Sequence, residues 1–188
     1  MTEIRIAQDP AADRVLSDSS FALLCGMLLD QQFPMERAFA GPAKILERFG
    51  TLEPAAVAAA DPEEFAALCS TPPAVHRFPG SMAARVQALA AHVVEAYDGH
   101  TARLWEEATS GRDLLTRLQA LPGFGRQKAQ IFVALVGKQL GVTPEGWSDA
   151  AGDYAEPGSF RSVADVVDQE SLDRVRAFKK QKKAAARG

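Results

Sequence analysis

The sequence predicts an all-α protein on three observations. Apolar residues recur at three- and four-residue spacing through most of its 188 residues. Capping residues and glycines punctuate those periodic stretches. Alternation of the strand type is nearly absent, and only residues 4–7 read as a short extended segment. With 47% hydrophobic residues, the chain can bury a substantial core as one globule or two small lobes.

The elements follow in order. Ser19 or Ser20 caps a helix running through Leu29. Residues 35–49 continue the pattern and stop at Gly50, which suits a helix C-terminus. Residues 53–60 and 62–69 are short Ala-rich helices starting beside Pro54 and Pro62, because proline is tolerated in a first turn. Residues 71–80, rich in proline, form a loop that holds His76 and Arg77 within reach of a ligand, whereas His92 lies among apolar neighbours. From Ser81 a helix carries Val86, Leu89, Ala90 and Val93 to Tyr97 and closes at Asp98-Gly99. Residues 102–108 and 113–120 are helical too, and Ala129, Phe132, Val133 and Val136 mark the helix after them.

Between those last two helices stands Leu121-Pro122-Gly123-Phe124-Gly125. Two glycines around one apolar residue describe a hairpin able to receive a phosphate. Gly123 and Gly125 can take positive φ and leave their amides uncovered, so N–H groups converge on an anion at the next helix's N-terminus. Phe124 is expected to turn inward, Pro122 to stiffen the approach, and Arg126 and Lys128 to add charge beside the phosphate. The expected partner is double-stranded DNA, held without base reading. The competing explanation is an ordinary helical corner with a glycine cap.

The run from Leu118 to Val133 resembles the helix-hairpin-helix of the HhH-GPD superfamily of base-excision DNA glycosylases, of the endonuclease III-like kind. The likeness extends from about Phe21 to Val142. It implies a helical barrel over residues 21–136, with the hairpin at 114–136 and a smaller helical lobe from residues 1–20 and 137–188. Leu28-Leu29-Asp30-Gln31-Gln32 resembles the family's apolar helix ending in a turn whose glutamine enters the gap left by an extruded base. An amide can both donate and accept there. Gln32 is preferred for this role over Gln31, and a polar helix end stopped by Pro34 is the alternative.

The family's strand-cleaving members carry a lysine two residues after the second hairpin glycine. Here that position is Gln127, which cannot form a Schiff base, so the implied activity is base release alone. Lys128 lies one residue on, about 100° around the helix. The family's catalytic aspartate lies about twenty residues after the same glycine, which lands on Glu145. Thr143-Pro144-Glu145 reads as a cap, a first-turn proline and an early acid, so the carboxylate is expected at a helix N-terminus. Asp149 or Asp153 takes the role if a short insertion intervenes. Trp147 and Tyr154 are placed to stack on an extruded base or else serve the core, as Trp105 is expected to.

Cys25 and Cys69 lack metal-ligand spacing and read as buried apolar residues, and no cysteine follows to hold the iron–sulfur cluster of some family members. No cofactor or metal is expected. Charge is uneven: residues 173–188 hold seven basic groups and one acidic, a net of +6, against −9 for the rest. That tail is either a DNA-steering arm or a solvated helix end. No stretch reaches the roughly 18 apolar residues of a membrane span, and no signal segment opens the chain, so a cytoplasmic monomer is expected. Three functions compete: a glycosylase, a non-catalytic lesion or structure binder, and a helical protein-interaction module.

Overall fold

The computed structural model describes residues 3–188. Among these, eleven α-helices and two 3-10 turns form, and no strand does. The helices are α1 Pro10–Asp18, α2 Ser20–Leu29, α3 Met35–Phe49, α4 Pro54–Ala59, α5 Pro62–Ser70, α6 Pro79–Tyr97, α7 Arg103–Glu106, α8 Gly111–Gln119, α9 Arg126–Leu140, α10 Trp147–Ala151 and α11 Gln169–Ala186. Short 3-10 turns occupy Gly152–Ala155 and Val163–Asp165. None of the helices is long and apolar enough to cross a membrane.

Side-chain caps set five of the helix starts. Asp9, Ser19, Asp61, Ser110 and Asp168 each accept from a backbone N–H in the first turn of α1, α2, α5, α8 and α11. Gly50 ends α3 in the left-handed region at φ 93°. Residues 4–7 are not a strand. Ile4 and Ile6 are buried and Arg5 between them is exposed, but among the described residues no strand forms to pair with the segment. Its backbone is fastened to α1, with Ile4 N–H donating to Ser17 Oγ at 2.9 Å and Ala7 N–H to Asp13 Oδ1 at 2.8 Å. Two boundaries also differ from expectation. Pro79 opens α6 two residues before Ser81, and α7 is a single turn rather than a helix over 102–108.

α2 is buried along nearly its whole length, from Phe21 to Leu29. α1 and α3 pack on it, α4 and α5 pack on α6, and α8 and α10 pack on α9. One hydrophobic core joins these groups. Full burial of a large apolar side chain is worth ~1.5–3 kcal/mol, so Leu24, Leu28, Leu29 and Phe132 anchor α2 and α9 firmly. The outcome is that the C-terminal end of α2 lies against the α8–α9 hairpin.

Candidate nucleic-acid interface

The hairpin forms between α8 and α9, with Leu121 and Phe124 buried and Gly123 and Gly125 exposed. Phe124 turns inward as its neighbours require and packs edge-on against Phe132, 6.3 Å between centroids. The two glycines differ. Gly123 takes φ +82°, and a Cβ there would lie 2.6 Å from Leu28 Cδ1. Gly125 has φ −79° and ψ −178°, extended backbone that any residue adopts, so positive φ is not what it supplies. It is the N-cap of α9 with no side-chain cap, and a Cβ at this position would meet nothing within 4 Å. Gly123 therefore serves the turn and its contact with α2, while Gly125 keeps the helix N-terminus uncovered. An uncapped N-terminus presents backbone N–H groups and the positive end of the helix dipole.

Arg126 is exposed at the first position of α9, beside that open end. Lys128 is placed otherwise than expected. Its Nζ donates to Leu28 O at 3.1 Å and lies 5.9 Å from the centre of the Phe124 ring. It thus bridges the hairpin to a terminal carbonyl of α2, a group that has no partner within its own helix. Burial lowers its pKa to about 8, against the opposing pull of Asp30.

Beyond that carbonyl the chain turns through Asp30-Gln31-Gln32 into α3. Gln32 adopts φ 52° and is exposed. Gln31 is tied down: its Nε2 donates to Leu28 O at 2.9 Å, and Arg85 reaches its Oε1 at 3.4 Å. His76, 2% exposed, joins this turn to the 71–78 loop. Its Nδ1 accepts from Phe78 N–H at 3.0 Å, so Nε2 carries the proton and donates to Gln31 O at 2.9 Å. Burial pulls the His76 pKa down, with Lys128 and Arg85 acting in the same direction, which favours this neutral ring. Phe33 packs on one side of it, 4.7 Å between centroids.

The loop so fixed exposes Phe78, 46% accessible, with the Arg77 guanidinium 5.2 Å from its ring centre. The sequence places His76 within reach of a ligand, whereas packing buries it and exposes Phe78, which sequence reasoning misses. The available signal is an aromatic beside arginine in a proline-bounded loop, but its exposure depends on a contact between residues 45 apart in the chain. Asp30 likewise has a place in the structure that its sequence context does not announce. Its side chain is 9% exposed, with Lys179 Nζ of α11 at 3.8 Å from Oδ2. Burial raises its pKa, opposed by Lys179 and Lys128.

The acidic candidates lie elsewhere. Glu145 is exposed and is not in a helix first turn, because α10 begins only at Trp147 after Gly146 at φ 78°. The delay has a local cause: Gly111 N–H donates to Glu145 O at 2.8 Å, and Trp147 N–H to Pro144 O at 2.9 Å, holding residues 144–147 as a turn. Asp149 and Asp153 are exposed on an open depression of about 420 Å³, shared with Gly152, Glu156 and Arg161. Trp147 is half-buried against Gly137 of α9, where a Cβ would come within 2.6 Å of its ring. Tyr154 is half-buried, and its hydroxyl accepts from Gln127 Nε2 at 3.0 Å. The structure thus brings Gln127 and Tyr154 together and leaves the three carboxylates open to solvent.

A model of the HhH-GPD superfamily base excision DNA repair protein matches residues 25–187. No curated protein and no solved structure gives a match.

Proposed function

Because the chain belongs to the HhH-GPD superfamily of base excision DNA repair proteins, we propose that it is a monofunctional DNA glycosylase hydrolysing the N-glycosidic bond of a damaged or mispaired base in duplex DNA. The carrying observation is that the open end of α9 and the exposed Gln32 and Phe78 belong to one fastened unit. Leu28 packs on the hairpin, Lys128 bonds Leu28 O, and His76 ties Gln31 to Phe78. The hairpin N–H groups and Arg126 hold a backbone phosphate. Gln32 fills the gap left by the extruded base, and Phe78 stacks beside it. In this reading residues 21–136 make the barrel, residues 1–20 and 137–188 the smaller lobe, and a cytoplasmic monomer does the work.

The chemistry needs a carboxylate to stabilise the sugar cation as the base departs with the bonding electrons. Water then adds at C1′, its proton passing to that carboxylate and from there to the departed base. Glu145, Asp149 and Asp153 are the carboxylates proposed for this step, with Trp147 and Tyr154 as the pocket. Gln127, an amide, offers no nucleophile for strand cleavage. No cofactor enters. The test is incubation with duplexes carrying a panel of modified bases, followed by alkali. Base release with strand scission only after alkali, and no borohydride-trapped adduct, is expected; efficient trapping would overturn the monofunctional assignment.

A second function, a non-catalytic lesion or structure binder, is favoured by one observation: Glu145, Asp149 and Asp153 are all exposed. The same panel separates the two, since a binder retains the duplex and releases no base.

A further inference from the structure

α11 is not a free tail. Its N-terminus is set by reciprocal hydrogen bonds between Asp168 and Ser171, and Leu172 and Val175 are buried in the core. Its next turn is pinned to the α2–α3 junction. Arg176 pairs with Glu36 in the first turn of α3, and Lys179 pairs with the buried Asp30 immediately before Gln31. The helix therefore passes the Gln31-Gln32 turn in a defined direction before running into solvent.

Past that anchor the charge is of one sign. Lys180, Lys182, Lys183 and Arg187 are exposed, and no acidic residue follows Asp173. Arg176, Lys180, Lys183 and Arg187 recur at intervals of four, three and four residues. At about 100° per residue they share one helix face, over about 16 Å of helix length. Lys182 lies about 120° away from Arg176 around the same helix. This stripe projects from a body whose remaining charge is −9.

We infer that Lys180, Lys183 and Arg187, on the face of α11 that continues from the Arg176 anchor, form a second DNA-backbone contact, a clamp that holds duplex phosphates beside the Gln32 turn while the hairpin holds others. Duplex DNA is favoured over another polyanion because the two ion pairs start the stripe at the turn already assigned to the lesion. The stretch from Lys180 to Arg187, about 10 Å, spans about three phosphates of one strand, spaced about 3.4 Å along the duplex axis. The inference rests on the proposed DNA-repair function.

Its test uses the full-length protein and a duplex carrying an abasic-site analogue, with affinity measured by fluorescence anisotropy over a salt series. Lys180→Gln and Lys183→Gln each should lower affinity severalfold at low salt and make the salt slope shallower by about 0.9 for each phosphate no longer neutralised. Lys182→Gln makes the same charge change off the stripe and should stay within about twofold of wild type. If all three variants weaken binding equally, the tail acts through net charge and the clamp is wrong. If none does, the stripe is a solvated helix end. A wild-type protein that fails to bind any duplex at low salt would instead remove the DNA-repair function on which the inference rests.

Discussion

The α2–α3 turn with the hairpin, and the segment 144–155, differ in how their polar groups are held. In the first, Lys128 is bonded to Leu28 O, both nitrogens of His76 are engaged, and Asp30 is buried beside Lys179. In the second, Glu145, Asp149 and Asp153 are exposed, and the backbone rather than a carboxylate makes the anchoring contact to Gly111. A preorganised surface holds its ligand without ordering side chains at the moment of binding. A carboxylate free in water stabilises a developing cation far less than one in a dry site. The difference teaches that, under the proposed function, the surface assigned to DNA is already ordered in the resting protein, whereas the chemistry would have to be assembled by the substrate or supplied by another carboxylate.

The largest expected effect separates the two hairpin glycines. Gly123→Val forces a branched residue to φ +82° and into Leu28, so left-handed strain of ~1–3 kcal/mol adds to overpacking of ~1–3 kcal/mol. Its melting temperature should fall by roughly 10 °C. At Gly125 an added Cβ meets nothing in the free protein, so Gly125→Val should lose only the few degrees that a poorer N-cap costs, yet bind duplex poorly because a side chain then covers the phosphate approach. Equal destabilisation by both would erase the distinction between turn and docking edge.

Next comes the acid. If one of the exposed carboxylates stabilises the sugar cation, Glu145→Gln, Asp149→Asn or Asp153→Asn should lower base release by orders of magnitude while DNA binding persists. A loss of activity in Asp30→Asn alone, with the other three active, would shift the chemistry to the preorganised side. Single-turnover base release for the four variants decides.

Legibility in the sequence follows the same division. α2 and α3 are readable to within a residue because Ser19 and Gly50 are local signals with local causes. The hairpin is readable for the same reason. Gly125 is misread, since a glycine kept for the space around it looks the same in sequence as one kept for its φ. Glu145 is misread because the contact delaying α10 comes from Gly111, far away in the chain. His76, Phe78 and Asp30 depend on packing between distant elements, which periodicity does not encode. α1 and the anchoring of α11 escape the sequence reading, the second because Glu36 and Asp30 sit at the opposite end of the chain.

A smaller effect concerns pH. His76 has a folded pKa below the ordinary 6.5. The unfolded chain therefore takes up its proton first: stability is intact above about 6.5 and is lost as pH falls toward the folded value. His76→Gln should flatten that part of the stability profile in urea titrations between pH 7 and 5 (about the range where histidine titrates). A profile identical to wild type would mean that His76 does not lock the two loops in its neutral form.

The smallest is at Lys128. Lys128→Met removes a hydrogen bond to Leu28 O worth about 1 kcal/mol, but also a charge that burial disfavours, so at about pH 7 the two effects offset and the variant should be no less stable than wild type. With its folded pKa about 8 against an ordinary 10.5, the unfolded state binds more protons between those values. Wild-type stability measured in urea should therefore gain a contribution as pH rises through that interval, and the variant should lack it.

Hydrogen–deuterium exchange of the full-length protein, with and without a duplex carrying an abasic-site analogue, tests the contrast between the two regions most directly. DNA should protect residues 28–33, 76–80 and 121–128 most strongly, and residues 144–155 to a smaller extent, where only the extruded nucleotide reaches. Protection centred on 144–155, with the hairpin and the Gln32 turn unchanged, would contradict the claim that the fastened surface is where DNA is held.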